Sequence, residues 1–109
     1  MLDDTIAAIA TPLGQGGLAV IRVSGGKALA TVDALFTPAS KSKTRLAKAK
    51  THTLHYGHIV RDGQRLDEVI VSVMKAPATF TREDVVEISC HGGIRSTKAV
   101  LDAVLGAGA

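Results

Sequence analysis

The sequence of 109 residues contains few aromatic side chains and a single cysteine. Tryptophan is absent, and the only aromatic residues are Phe36, Tyr56 and Phe80, so the core must be aliphatic. With so few aromatic rings, a surface on which nucleic-acid bases stack is not expected. Cys90 has no second cysteine to pair with, which excludes an internal disulfide and fits a reducing, cytoplasmic compartment.

Long hydrophobic runs are also missing. No segment approaches the roughly 20 apolar residues of a transmembrane helix, so no membrane span is expected. The chain starts with the acidic sequence Met1-Leu2-Asp3-Asp4, which is not typical of a secretory signal peptide. The length is that of one domain with its own core, so we expect a single domain over residues 1–109.

Hydrophobic patterning predicts five strands and two helices. The predicted strands cover residues 5–10, 18–24, 51–61, 66–75 and 85–91, and the predicted helices cover residues 27–36 and 94–105. Asp62-Gly63 separates the third and fourth strands and is a strong hairpin signal. The order β-β-α-β-β-β-α predicts an α+β fold in which the helices pack on a single, mostly antiparallel sheet.

Two of the connecting segments carry turn signals. Pro12 and the glycines of residues 14–17 predict a loop, and the Lys-Ser or Lys-Thr ending of a phosphate-binding loop does not follow them. Thr81 and Asp84 have the spacing of a capping box and predict a single helical turn before the last strand.

Basic residues are concentrated in the segment 39–50, which has no hydrophobic period and is predicted to be a mobile loop. The formal net charge of the chain is +3. Such a cluster can contact the phosphate backbone of RNA, or it can simply be a solvated loop. Its members are Lys41, Lys43, Arg45, Lys48 and Lys50.

Two groups of potential metal ligands or nucleophiles are spaced so that their side chains are not expected to meet. His52, His55 and His58 are three residues apart, and on a strand such residues alternate between faces, so we do not expect them to bind one metal. Cys90 and His91 are strand neighbours and are likewise expected on opposite faces. The cysteine is therefore predicted to be a buried, inert thiol.

Two charged residues lie inside otherwise apolar predicted strands. Glu87 shares its face with Ser89 and His91, and Arg22 interrupts the second strand. Each charge needs a partner, because a desolvated carboxylate is costly and a guanidinium does not lose its proton. The two either neutralise each other or form an acceptor and a donor for a pterin- or guanine-like ring, and the sequence leaves both alternatives open.

Gly92 and Gly93 lie between the last strand and the last helix. Glycines at this position allow the N-terminus of a helix to receive an anion. They equally allow a tight strand-to-helix turn, so both interpretations remain open.

Several ordered motifs span most of the chain. They are Asp-Thr-Ile-Ala-Ala at 4–8, Ala-Thr-Pro at 10–12 with the glycines that follow, Ile-Arg-Val-Ser-Gly at 21–25, and the run 80–93 with Glu-Asp-Val-Val-Glu-Ile and Cys-His-Gly-Gly. Together they resemble the N-terminal domain of the MnmE (TrmE) family of tRNA modification GTPases. The resemblance is weakest between Thr37 and Thr51.

The resemblance implies a fold similar to the tetrahydrofolate-binding part of the glycine-cleavage T protein. It also implies a homodimer that binds 5-formyltetrahydrofolate, or a related tetrahydrofolate, near the dimer interface. By position, the family's folate-contacting arginine and glutamate fall on Arg22 and Glu87. Two further folate contacts of the family fall beyond residue 109, so the site is expected to be incomplete in this chain.

Full-length members of the family contain a helical domain and a GTP-binding domain, and the latter uses GTP, magnesium and potassium. With the flavin-dependent partner MnmG, of the glucose-inhibited division family, they build the carboxymethylaminomethyl group on the wobble uridine of tRNA. No GTP-binding motif occurs in these 109 residues, and no catalytic residue is predicted. The alternatives are a self-association module in which Arg22 and Glu87 only satisfy each other, and an RNA-binding module that uses Lys41 to Lys50.

Overall fold

The computed structural model describes residues 5–10, 19–39, 45–76 and 83–108. Within them the chain forms one six-stranded sheet, two α-helices and one 3-10 helix. The strands are β1 (Ile6–Ile9), β2 (Ala19–Ser24), β3 (Phe36–Pro38), β4 (Thr53–Arg61), β5 (Gln64–Met74) and β6 (Val85–Cys90). The helices are α1 (Ala28–Asp33), the 3-10 helix (Leu46–Lys48) and α2 (Gly93–Gly106).

The sheet has the order β1-β2-β6-β5-β4-β3, and every neighbouring pair is antiparallel. The predicted α+β class is confirmed, with six strands instead of five. Asp62 and Gly63 form the predicted hairpin between β4 and β5, both with positive φ, as a tight two-residue turn requires. In this order β2 and β6 are neighbours near the middle of the sheet, although most of the chain separates them.

The sixth strand is β3, whose first residue, Phe36, was predicted to be the last residue of the helix over residues 27–36. That prediction was wrong, because α1 ends at Asp33 and Phe36–Pro38 pairs with β4 instead. The apolar spacing that predicted a helix continues through Leu35, so periodicity alone does not mark the change. A proline is tolerated here because β3 lies at the edge of the sheet, where one row of backbone groups has no strand partner.

The predicted mobile loop was wrong for residues 45–50. Leu46 is fully buried. The nearly buried carboxylate of Asp33 accepts one hydrogen bond from the backbone N–H of Leu46 (3.0 Å) and another from Arg45 Nε (2.7 Å). This contact fixes the 3-10 helix against the end of α1, and it engages one cation of the basic cluster. Residues 40–44, with Lys41 and Lys43, lie outside the described residues.

The core lies on one side of the sheet, where α1 and α2 cover it. Side chains alternate in β5 from Val69 onward and in β6 from Val86 onward, and those on the helix side are fully buried. The fully buried core side chains of the central strands are Ile21, Val23, Val69, Val71, Val73, Val86, Ile88 and Cys90, and those of the helices are Ala28, Val32, Val100 and Val104.

The other side of the sheet, here called the open face, is not covered by the described helices. The nearly continuous apolar run of residues 18–24 is typical of a strand covered on both sides, but this interpretation is wrong for β2, because Arg22 is exposed on the open face. The loop of residues 14–17 and the turn starting at Thr81 fall outside the described ranges. Among the helices described, none combines the length and hydropathy that crossing a membrane would require.

Candidate functional site

Arg22 and Glu87 lie directly opposite each other on β2 and β6, and their side chains meet on the open face. The guanidinium donates two hydrogen bonds, from Nε (2.9 Å) and from Nη2 (2.7 Å), to the carboxylate. Each charge therefore has the partner that it was expected to need, namely the other residue of the pair. The sequence left open whether the two neutralise each other or bind a ligand, and in the structure without a ligand they neutralise each other.

Both hydrogen bonds of this pair end on the same oxygen, Oε2 of Glu87. Within the described residues, Glu87 Oε1 and Arg22 Nη1 have no hydrogen-bond partner. The side chains are 56% and 27% exposed, so the pair contributes at most about 1 kcal/mol to folding. The arrangement presents an acceptor and a donor side by side at the surface of the sheet.

The pair belongs to a continuous row of side chains across five strands of the open face, here called the central row. Strand register places Ala8 opposite Arg22, Ser72 opposite Glu87, and Leu54 opposite Ser72. The charged pair and one hydroxyl are thus flanked by apolar side chains at both ends. Small-molecule sites typically combine a small number of polar groups with mostly apolar surroundings.

Two serine hydroxyls adjoin Glu87. Ser89 follows it by two residues on the same strand, and Ser72 lies opposite it on β5. Neither hydroxyl has a hydrogen-bond partner in the part of the chain that the structure describes. Strand periodicity predicted Ser89 on the face of Glu87. It did not predict Ser72 beside Glu87, because periodicity shows which face a residue takes and not which strand lies next to it.

At the start of α2, an internal carboxylate already occupies the position that an external anion would take. Asp67 Oδ2 accepts the backbone N–H groups of His91 (2.9 Å) and Gly92 (3.1 Å), and Gly93 has a φ of 87°. Of the two interpretations of these glycines, the structure supports the tight turn. A Cβ at Gly92 would collide with the side chain of Ser96, which explains why a residue without a side chain is needed.

Sequence reasoning missed Asp67, and no local signal marks it, because its partners are 24 and 25 residues further along the chain.

A second polar group lies at one end of the open face, around Glu68. The hydrogen bond between Tyr56 and the Glu68 carboxylate raises the pKa of the Tyr56 phenol. His58 Nε2 lies 3.9 Å from Glu68 Oε2, and His91 Nδ1 lies 3.1 Å from the Glu68 carbonyl oxygen. Tyr56 itself is 50% exposed.

The remaining histidines and the cysteine are separated as the strand geometry predicts. His55 lies opposite Val71 on the helix-covered face, and His58 lies opposite Glu68 on the open face. No group of three or more His, Cys, Asp or Glu side chains in the described ranges is arranged to hold a metal ion. Cys90 is buried on the helix side, as predicted, and burial raises the pKa of its thiol to about 12, which favours an unreactive thiol.

Comparison with known proteins agrees with the resemblance seen in the motifs. The family model described as GTP-binding protein TrmE N-terminus matches residues 5–109. The chain is 52% identical over 109 residues to the tRNA modification GTPase MnmE of Lachnoclostridium phytofermentans. It is 56% identical to the protein of that name from Lacticaseibacillus paracasei and 55% identical to that from Geobacillus kaustophilus, each over 108 residues.

These matches cover 100%, 97% and 97% of this chain, but 24%, 22% and 23% of the respective relatives. The chain therefore spans about a quarter of the length of the curated relatives it matches. The family match extends from the first described strand to the end of α2, so it includes the strands that carry Arg22 and Glu87. The chain belongs to the TrmE (MnmE) N-terminal family.

Proposed function

We propose that the chain binds a formyl-tetrahydrofolate-type one-carbon donor, such as 5-formyltetrahydrofolate, through Arg22 and Glu87. The observation that carries the proposal is the pair on the open face, in which one carboxylate oxygen and one guanidinium nitrogen have no hydrogen-bond partner among the described residues. The pterin ring has a ring N–H and an amino group as donors, next to a carbonyl oxygen as acceptor. The Glu87 carboxylate can accept hydrogen bonds from the two donors, and the Arg22 guanidinium can donate one to the carbonyl oxygen.

The surroundings of the pair support a ring-shaped ligand. Ala8 and Leu54 close the central row on either side, so a flat ligand whose polar edge meets Glu87 has apolar surface under its remaining atoms. The hydroxyls of Ser72 and Ser89, which have no partner within the ranges that the structure describes, offer further hydrogen bonds beside the carboxylate. The resemblance assigns the family's folate-contacting residues to the same two charged positions.

Within a longer protein, the domain would serve tRNA modification. The relatives it matches are named tRNA modification GTPases, and the chain corresponds to about a quarter of their length. We assign GTP hydrolysis with magnesium and potassium, and cooperation with an MnmG-type flavoprotein on the wobble uridine, to regions outside this chain. The contribution of this domain is to hold the one-carbon donor in the cytoplasm-located enzyme.

A second candidate function is self-association without a ligand. Ile6 and Leu54 are 62% and 71% exposed on the open face, and a second copy of the chain covering this face would bury them. In that case Arg22 and Glu87 only neutralise each other, as they do in the unliganded structure. A homodimer is also compatible with folate binding. The two candidate functions are therefore distinguished by whether the chain binds folate, and not by whether it forms a dimer.

Isothermal titration calorimetry with 5-formyltetrahydrofolate tests the proposal. Arg22→Ala and Glu87→Gln each remove hydrogen bonds to a charged group, and we expect each to weaken binding at least about tenfold. Arg95→Ala is the matched control, because Arg95 is an exposed arginine on α2, away from the site.

Two outcomes contradict folate binding. One is absent or millimolar binding that Arg22→Ala does not change. The other is an equal loss of affinity in Arg95→Ala, which would indicate that net charge alone attracts the ligand. Light scattering that shows a dimer with no response to folate would select the self-association function.

A further inference from the structure

The open face presents an aromatic side chain at a short distance from the charged pair. Tyr56 follows Leu54 by two residues on β4, so both side chains project from the open face, and Tyr56 lies opposite Ile70 on β5. Ile70 in turn lies opposite Ser89 of β6. A path over the sheet therefore runs from Glu87, past the Ser89 hydroxyl and Ile70, to the ring of Tyr56.

The length of this path follows from sheet geometry. Tyr56 is two strands away from Glu87, which is about 10 Å because adjacent strands are about 4.8 Å apart. It is displaced by one residue pair along the strand direction, or about 7 Å. The separation is too large for one ring to contact both residues, and it suits a ligand with two rings joined by a short linker.

Tyr56 is also available for contact with a ligand. It is 50% exposed, so part of the ring surface faces solvent. Its polar neighbour Glu68, whose hydrogen bond raises the pKa of the Tyr56 phenol, lies opposite His58, on the side of Tyr56 away from the charged pair. A tyrosine side chain has only two torsions, so an exposed tyrosine ring stacks on a second ring at low cost in conformational entropy.

We propose that Tyr56 is a specificity-determining ligand contact that stacks on the aryl ring of a bound folate while Arg22 and Glu87 hold the pterin ring. This inference rests on the folate site proposed above. It identifies the ligand class as an intact tetrahydrofolate with its aminobenzoyl group, because a simple tetrahydropterin ends before it reaches Tyr56.

The test compares two ligands on the whole chain, 5-formyltetrahydrofolate and 6-methyltetrahydropterin, which lacks the aryl group. Tyr56→Ala should weaken 5-formyltetrahydrofolate about tenfold and leave the affinity for the tetrahydropterin unchanged. Tyr56→Phe keeps the ring without the hydroxyl and should bind both ligands like the unaltered chain. Leu105→Ala removes an exposed apolar side chain from α2 and is the matched control.

A second readout uses the composition of the chain. Tyr56 is the only tyrosine, and tryptophan is absent, so tyrosine fluorescence reports on this residue alone. Bound 5-formyltetrahydrofolate should shield the emission from acrylamide quenching, and bound 6-methyltetrahydropterin should not.

Four results overturn the inference. They are an unchanged folate affinity in Tyr56→Ala, an equal loss for both ligands, a loss in Tyr56→Phe as large as in Tyr56→Ala, and a dimer that becomes a monomer on Tyr56→Ala. The last would assign the residue to a subunit contact. If the unaltered chain binds neither ligand, the folate proposal itself fails, whereas the four results above leave it standing.

Discussion

Asp67 and Gly92 are joined by a hydrogen bond of 3.1 Å, in which a β5 carboxylate accepts the backbone N–H of the residue that precedes α2. The same oxygen accepts the N–H of His91 at 2.9 Å. These two residues directly precede α2, so the carboxylate holds the strand-to-helix turn against β5, and its charge interacts favourably with the helix dipole. Asp67 therefore fixes the start of α2 from a neighbouring strand.

Replacing this carboxylate should destabilise the fold measurably. Asp67→Ala is expected to lower the free energy of unfolding by about 1 to 3 kcal/mol, because two backbone N–H groups lose a charged acceptor. Urea denaturation followed by circular dichroism provides the measurement. Asp102→Ala, which removes an exposed carboxylate from the body of α2, is the control, and an equal loss there would contradict this role of Asp67.

The Arg22–Glu87 pair should matter little for stability. Because the Arg22 side chain is 56% exposed, Arg22→Ala is expected to change the free energy of unfolding by no more than about 1 kcal/mol. Ile21→Ala, one residue away on the buried face, should cost about 2 to 5 kcal/mol. Chemical denaturation of both variants checks the contrast, and equal losses would mean that the pair holds β2 to β6.

Two glycines should respond in opposite ways to the same substitution. A Cβ on Gly57 would meet the Thr37 carbonyl oxygen and the ring of Phe36, so Gly57→Ala should lower the free energy of unfolding by about 1 to 3 kcal/mol. Gly26 has no atom within 4 Å of an added Cβ, so Gly26→Ala should be neutral or stabilising by up to about 1 kcal/mol. Thermal unfolding of the two variants side by side tests whether β3 lies as closely on β4 as described.

The buried thiol should make the fold sensitive to alkali. Burial raises the pKa of Cys90 from 9.0 to about 12, so between these values the unfolded chain loses a proton that the folded chain retains. The stabilisation is complete below pH 9, and the free energy of unfolding should then fall by about 1.4 kcal/mol per pH unit as the pH rises toward 12. The raised pKa of Tyr56 acts in the same direction above pH 10.

Denaturation at a series of alkaline pH values measures this slope. Cys90→Ala should flatten it while leaving the smaller contribution of Tyr56. A slope that does not change in Cys90→Ala would contradict the assignment, as would rapid reaction of the native protein with a thiol reagent near neutral pH.

The regular elements could be predicted because their signals are local. Alternation of valines identified the buried face of β5, Asp62-Gly63 identified the hairpin, and the apolar spacing placed α2 within one residue of its observed ends. Each of these signals depends on a few consecutive residues. They therefore do not require knowledge of which strands become neighbours.

The features that were missed depend on distant partners. The strand β3 has only three residues, and its pairing partner β4 begins 17 residues after Phe36, so no local pattern reveals it. Leu46 is apolar within a segment of lysines, and only the Asp33 contact shows that it is anchored. At the candidate site, uncompensated charge within apolar strands identified Arg22 and Glu87, whereas Ser72 and Tyr56 carry no such signal.

The hydrogen-bonded partners at the candidate site are 65 positions apart in the sequence. Every other strand pairing joins elements that follow each other along the chain, whereas β2 and β6 bring together its two halves. During synthesis on the ribosome, Arg22 emerges long before Glu87. The hairpins that β1 to β5 form do not include Glu87. The nascent chain therefore acquires the site only when its last strand inserts between β2 and β5, so affinity for a ligand there appears together with the finished topology.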